Sequence, residues 1–404
     1  MTGKRRIAIL GAGIMGCSVA LNFARRGAQV MLFDAGSAPF CAASRWNEGK
    51  IHLGYLYSGD PSLQTALHIL PGSLMFRPLV EELIGTSILP AASSDDDYYL
   101  CHRDSVVPPE QMLDYLRRVS DAVRVHPDAG RYVHDASSAA AHRLSAHELA
   151  NLTSSPEIVA GFRVPERSVQ TNWIADRFVE ALAAEPDIAL CLGQRVVAAR
   201  PDSDQPDGRW SVDTADGHFP SFDLVVNALW EGRMAVDQSA GMAPAGVWSN
   251  RYRQSIFLKT REALDLPCAL IATGPFGDIK NYDGRNFYLS WYPDGLLVDD
   301  ALVQPPDPTT LHRPDPQVLH DAVLDKLQQS LPWVARIRSA EESFVVNGGW
   351  VFAAGRGQLS DARSSLHQRH TYGVIRRGNY ISIDTGKYAT APLTARELAR
   401  LIFD

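Results

Sequence analysis

Cysteine is scarce: 404 residues hold five, Cys17, Cys41, Cys101, Cys191 and Cys268. They are odd in number, scattered and without a CxxC or Cys/His spacing, which argues against a disulfide framework or a zinc site and suits reduced thiols in a cytoplasmic protein. Positive charge is also in deficit, with 39 Lys and Arg against 46 Asp and Glu and a formal net charge of −7. Such a chain has no general attraction for nucleic acid or an anionic membrane surface, so an anionic substrate must be held by local cations. No apolar run reaches the roughly 20 residues a membrane-spanning helix needs. Lys4, Arg5 and Arg6 before an apolar run imitate the start of a signal peptide, but the run breaks at Gly11 and lacks a convincing cleavage site. There is no GxSxG elbow, no HExxH pair and no Walker A sequence.

What remains is the composition of an ordinary globular enzyme, 45% hydrophobic and 21% charged, in a chain long enough for two domains. Its most specific stretch is RIAILGAGIMGCSVALNFARRGAQVMLFD, Arg6 to Asp34. A short apolar strand runs through Gly11, Gly13 and Gly16, with Ile14 and Met15 between the last two, into a helix, and a second strand ends on Asp34. Gly11 permits the tight turn, Gly13 lets backbone approach a pyrophosphate and Gly16 lets helix lie close on strand. The free N–H groups and dipole of the helix start favour the negative charge there. Asp34 stands where an acid hydrogen-bonds a ribose hydroxyl. The motif predicts a site for an ADP-containing cofactor without separating NAD from FAD.

Beyond Asp34 a polar loop leads into KIHLGYLYSGD, and a helical pattern begins at Pro61. The acidic run Asp95 to Asp97 reads as a solvated turn before a strand, and Ser145 with Glu148 has capping-box spacing. From Val169 the pattern gives a helix, two strands, a hairpin and the apolar strand Phe222 to Ala228. Strands are predicted at Gln254 to Lys259, Cys268 to Thr273 and Asn286 to Tyr292. Asp315 as N-cap and Pro316 at the first helical position open a helix to about Leu331. SSLHQRH, with His367, Arg369 and His370, fits no zinc spacing and reads as a surface loop.

Read with the glycine motif, SRWNEGKIHLGYLY (Ser44 to Tyr57) resembles the D-amino-acid oxidase and glycine oxidase superfamily of FAD-dependent oxidoreductases. The N-x-G-x-I-H-x-G spacing of Asn47, Gly49, Ile51, His52 and Gly54 is most similar to its 2-hydroxyglutarate dehydrogenase branch. DLVVNALW (Asp223 to Trp230) and DTGKYATAP (Asp384 to Pro392) stand where these proteins have a strand end near ADP and a loop facing the flavin. The resemblance implies an α/β fold, with a Rossmann-like FAD-binding domain and an α+β substrate domain containing a mainly antiparallel sheet. The discontinuous FAD domain is expected from residues 1–60, 168–234 and 341–404, and the substrate domain from 61–167 and 235–340. It also implies that Gly11, Gly13, Gly16 and Asp34 hold the ADP half, with Ala43 and Ser44 near the pyrophosphate, Val196 near the adenine, and Asn47 and Gly49 among the cofactor contacts. Thr385, Gly386, Lys387 and Tyr388 would cover the flavin pyrimidine. Asn227 and Ala228 depart from the usual Gly-containing strand end.

Within that frame His52 is a candidate base for a substrate hydroxyl, with a packed loop histidine or a covalent flavin tether as other readings. Lys50, Lys387, Arg253 and Arg285 are candidate partners for a substrate carboxylate, Arg as a bidentate fork and Lys as a point charge. Tyr288, with Tyr55, Trp291 and Tyr292, is a candidate pocket wall. The expected reaction is hydride transfer from a small amine or amino acid to flavin N5, with oxygen or another acceptor closing the cycle. Two alternatives remain at this point: a 2-hydroxy acid oxidation with His52 as base, and a nicotinamide dehydrogenase using the same glycine motif.

Overall fold

A computed structural model describes residues 4–202 and 208–404. Its first sheet has six strands in the order Gly373–Arg377, Tyr380–Asp384, Leu224–Asn227, Arg6–Leu10, Gln29–Phe33 and Ile188–Cys191. All neighbours run parallel except the first pair. Helices cover this sheet, so its central strands are apolar on both sides rather than alternating; Ile7, Ala8, Ile9 and Leu10 have no exposed surface. The helix Ile14–Ala24 is buried along its whole length. It packs against the C-terminal helix Ala391–Phe403 as well as the sheet, which explains why it lacks a polar face.

The second large sheet is mostly antiparallel and is built around the strand Trp248–Thr260, which pairs with Glu341–Ala354 over nearly its full length. The order continues through Asn286–Trp291, Gly277–Asn281, Ala269–Ala272 and Asp97–His102 to Ile158–Val164. Its far face is closed by Pro316–Ser330 and Val334–Ala340, whose Leu319, Val323, Leu324, Leu327 and Ile337 share a core with Ile256, Leu258 and Leu289. Asp315 caps the first of these helices by accepting from Gln317 N at 2.8 Å. Ser145 and Glu148 form the expected capping box.

Two expected boundaries differ from the strand and helix packing. Glu341–Ala354 bonds to the second sheet, and the chain returns to the first only at Gly373. The helices Gln64–Leu74 and Phe76–Ile84 pack on Ala391–Phe403, so they share the core of the nucleotide-type fold. Both elements are amphipathic, and periodicity says which face is buried without saying against what. The Asp95 to Asp97 run differs too: Asp97 is 2% exposed because two lysines meet it in the interior.

The two sheets close on the loop after Phe33. A Cβ on Gly349 would lie 2.6 Å from the Cα of Ala43, so only glycine lets the second sheet settle there. Gly49 has φ +62°, and a Cβ on it would overlap the carbonyl oxygen of Val169. Gly27 also has a positive φ, +86°, but open space around it. Gly27→Ala should therefore cost only about 1–2 kcal/mol, the left-handed strain of an L-residue. Gly49→Ala adds a backbone collision and should cost about 3–5 kcal/mol. Denaturant midpoints of the two variants measure the difference, and equal shifts would contradict it.

Candidate active site

The glycine turn brings strand, helix start and the next strand end together at close quarters. Gly11 has φ +96°, and a Cβ there would lie 2.9 Å from the carbonyl oxygen of Ala228. Ser44 Oγ accepts from Ile14 N at 3.0 Å and would be 2.8 Å from a Cβ on Gly13, so the Ala43 to Ser44 corner lies against the helix start. The first intrahelical bond is Cys17 N to Gly13 O, leaving the N–H groups of Met15 and Gly16 in the open first turn. Asp34 ends its strand beside this turn and accepts from Ala12 N at 2.6 Å and Gly36 N at 2.7 Å. An ionised carboxylate has further acceptor capacity for a hydroxyl. Val196 opens the strand Val196–Pro201 and is half-buried.

Asn227 is corrected by its surroundings. Its amide donates to Arg233 O, Asp237 Oδ1 and Tyr380 OH, each at 2.9 Å, and its Oδ1 accepts from Leu229 N. That side chain is fully spent on the protein, while the neighbouring Ala228 backbone touches the turn. Asn47 likewise folds its own loop, donating to Ala43 O and accepting from Gly49 N, both at 2.8 Å.

The segment carrying His52 is pinned on both sides of the ring. Tyr132 OH donates to Ile51 O at 2.6 Å, and Glu166 Oε1 accepts from Leu53 N at 2.6 Å. The other oxygen of Glu166 accepts from Tyr99 OH at 2.5 Å. Lys50 lies 2.5 Å from Asp97 and 3.4 Å from Glu166, and Lys280 approaches Asp97 at 2.8 Å. Lys50 therefore does not reach out toward a substrate; its charge is consumed in the interior. Burial opposes that charge, but Asp97 and Glu166 outweigh it and raise the ammonium pKa above the ordinary lysine value.

His52 is 3% exposed and its Nε2 stands 3.8 Å from Glu48 Oε1. Burial first, and then the positive charge of Lys387, bring its pKa down to about 4, so the ring is neutral near pH 7. For Glu48, burial opposes ionisation, but His52 and Lys387 hold the carboxyl well below the usual range. The C-terminal loop closes over this pair. Thr385 O accepts from Thr390 Oγ1 and from Lys387 N, both at 2.7 Å, and Gly386 takes φ +66° against the ring of Tyr372. Lys387 Nζ sits 5.3 Å from the ring centroid of Tyr57, which lies 5.8 Å from His52. Burial, followed by repulsion from Arg369, lowers the pKa of Lys387 to about 7.

Cations from the second sheet arrive opposite. Arg253 stacks 4.4 Å from the ring centroid of Tyr292, and Arg251 Nη1 donates to Tyr292 OH at 2.7 Å. Arg369 donates to Phe352 O at 2.8 Å. Its pKa is lowered by burial and then by Arg251. Tyr288 is buried and accepts from Ser255 Oγ at 2.9 Å. Arg285 is not part of the cluster: it holds the Thr260 and Arg261 carbonyls and lies 3.4 Å from Glu342 on the outside.

Sequence reading missed Arg251, Arg369, Tyr57, Glu48 and Glu166. Arg251 shares a strand face with Arg253 through the two-residue period, and Glu48 precedes His52 by four. The SSLHQRH segment is corrected from a surface loop: Leu366 and His367 are buried, and the turn around them carries Arg369 inward. The buried atoms His52 Nδ1, Tyr57 OH, Tyr372 OH and Tyr388 OH have no protein partner. Polar atoms so placed suit a polar ring system between the two loops. Among the described residues no cluster of His, Cys, Asp and Glu could hold a metal ion, and no helix is long and apolar enough to cross a membrane.

Asp97 carries a prediction about acid stability. Burial disfavours its charge, but Lys280 and Lys50 outweigh that and lower its pKa. The folded value is then below the unfolded one of about 3.9. Its contribution is full above the unfolded pKa and is lost as pH falls through the folded one. Asp97→Asn should lose about 3–5 kcal/mol at pH 7, because two buried ammonium groups lose their partner. Its stability should also fall less steeply than wild type as the medium is made acid. Urea titrations at a series of pH values test both, and parallel acid limbs would count against the assignment.

No curated protein sequence matches the chain. Among solved structures, glycine oxidase from Geobacillus kaustophilus superposes with a TM-score of 0.67 at 16% identity, over 99% of this chain and 95% of that one. Iminodiacetate oxidase from Chelativorans sp. BNC1 gives 0.67 at 17% identity, over 98% and 95%. L-alpha-glycerophosphate oxidase from Mycoplasma pneumoniae, with FAD bound, gives 0.66 at 16%, over 99% and 95%. These likenesses show the fold. The family model DAO, FAD-dependent oxidoreductase, matches residues 6–401. The chain belongs to that family and is an oxidoreductase with FAD as its cofactor.

Proposed function

We propose that the protein oxidises the C–N bond of a small amine or amino acid bearing a carboxylate, giving an imine that water hydrolyses. The observation that carries this reading is the convergence of Arg251, Arg253, Arg369 and Lys387 beside His52 and the loop Thr385 to Tyr388, with no carboxylate in ion-pair contact with any of the four among the described residues. When bound, FAD supplies the hydride acceptor, and oxygen or another acceptor takes the electrons onward. In this reading the glycine turn and Asp34 hold the ADP half, and the Ala43 to Ser44 corner lies near the pyrophosphate. The loop Thr385 to Tyr388 would lie over the flavin ring, held in shape by the Gly386 and Lys387 N–H groups, which donate to Asp384 and to Thr385 O.

The chain's own contribution is electrostatic. A substrate carboxylate is drawn to the cations and fixes the orientation of the carbon that loses hydride. The amine must be neutral, because its lone pair stabilises the positive charge that develops on that carbon. Lys387 reports how this place treats an ammonium: its pKa falls to about 7. A substrate ammonium placed there meets the same burial and the same arginines, so its proton is lost more readily than in water. Neutral His52 accepts hydrogen bonds from the incoming amine without adding another positive charge.

One observation favours the hydroxy acid reading. The Glu48–His52 pair places a carboxylate behind an imidazole, the arrangement that stabilises an imidazolium after it takes a hydroxyl proton. Anaerobic mixing with panels of amines and of 2-hydroxy acids separates the two. Flavin bleaching by amines or amino acids is expected, and bleaching by hydroxy acids alone would overturn the assignment. With an amine donor, His52→Ala should slow reduction by less than about tenfold, whereas a true base would cost about 10²–10⁴-fold. The saturating reduction rate should rise from about pH 6 to pH 8, following ionisations in the bound complex. A flat profile would argue against deprotonation in this site.

A further inference from the structure

We infer that the site takes an amine carrying two carboxylates, one at the Arg369 and Lys387 end and the second at Arg251 and Arg253. For the reaction this rests on the amine reading above; for binding it stands on the charges alone. Among the described residues, the carboxylates acting on Lys387 and Arg369 are Glu48, Glu166 and Asp384. Glu166 is already engaged by Lys50, Tyr99 OH and Leu53 N. Asp384 already faces Arg233 at 3.5 Å. Glu48 sits behind His52, where it offsets a single charge. The cations thus exceed the anions by more than one carboxylate can offset. A cofactor gaining one negative charge on reduction still leaves an excess, and its pyrophosphate belongs to the glycine turn.

The arginines on the second sheet are built as a receptor rather than as structural ties. Arg251 and Arg253 are two residues apart on one face of Trp248–Thr260, which sets them about 6–7 Å apart along the strand. Both are held on Tyr292, one by a 2.7 Å hydrogen bond from Nη1 and the other by stacking at 4.4 Å. Arg251 is 4% exposed, and the Nε atoms of both are buried without a partner. The Arg253 side chain donates no hydrogen bond among the described residues, so its whole fork remains for a carboxylate. The structural cations of the molecule behave differently: Lys50, Lys280 and Arg233 each touch one or more carboxylates.

The test uses the flavin-loaded enzyme and two four-carbon probes that lack an amine, succinate and butyrate, at fixed ionic strength. Perturbation of the visible flavin spectrum reports binding. Succinate should bind at least about tenfold more tightly than butyrate, a difference of about 1.4 kcal/mol. Arg253→Gln should remove most of that preference while changing butyrate affinity by less than about twofold, and Arg253→Lys should keep part of it. Equal affinities in the wild type would overturn the inference, as would an Arg253→Gln variant that weakens both probes alike. Should Arg253→Gln fail to retain flavin, the wild-type ratio still decides. Preference for succinate together with bleaching by hydroxy acids alone sinks the amine reading and keeps the two-carboxylate site. Bleaching by amines without that preference does the reverse.

Discussion

Asp97 sits between two lysines, Lys50 and Lys280, in an interior that excludes water from all three. A charge so buried is stable only when paired and hydrogen-bonded, so the partners must arrive together. They come from distant stretches: Lys50 from the loop after the nucleotide strands, Asp97 and Lys280 from separate strands of the second sheet. Satisfying Asp97 therefore fixes how that loop meets the sheet. Glu166 extends the constraint by binding Tyr99 OH, the Lys50 ammonium and Leu53 N in one buried group. The position of His52 follows, since its neighbours on both sides are already held.

The same region thus contains two populations of cations with different physics. Lys50 and Lys280 are neutralised by contact, which raises the Lys50 pKa and removes it from any exchange with ligand. Lys387 and Arg369 have lowered pKa values, because burial is not compensated and like charges surround them. A paired buried ion holds structure together, whereas an unpaired one is a debt that a ligand settles. Residue type alone does not separate them; the presence of a carboxylate within contact does.

This explains which parts were legible in the sequence. The strand, turn, helix and strand of Arg6 to Asp34 were readable because their signals are local: glycine geometry, an apolar strand and a terminal acid lie within one short stretch. The loop around His52 was readable as a motif, and the family match to residues 6–401 agrees with it. The fate of Lys50 was not readable, because Asp97, Glu166 and Lys280 approach it across long sequence separations. Asp97 looked like part of a solvated acidic run for the same reason. Arg369 was hidden in a polar segment whose period gives no face, and only the turn through Leu366 and His367 directs it inward. Arg285, expected on a strand as Arg253 is, sits in the turn just before Asn286–Trp291 and reaches outward to Glu342.

The constraint at Asp97 and the excess of cations at Arg251 to Arg253 belong to one sheet, in which Asn286–Trp291, Gly277–Asn281 and Ala269–Ala272 separate the strand of Asp97 from the strand of the arginines. Trp248–Thr260 carries the arginines on the face that meets the nucleotide loop; farther along it, Phe257 packs on Trp46 at 5.0 Å between ring centroids. Its partner strand touches Ala43 through Gly349, where a side chain would collide. The arginines are therefore set at a fixed height over the loop by backbone packing, with no salt bridge among the described residues that a ligand would have to break. A site preorganised in this way loses little conformational entropy when an anion enters. Had Arg251 and Arg253 been tied to protein carboxylates, each substrate anion would have had to displace one, and the net gain from binding would have been small.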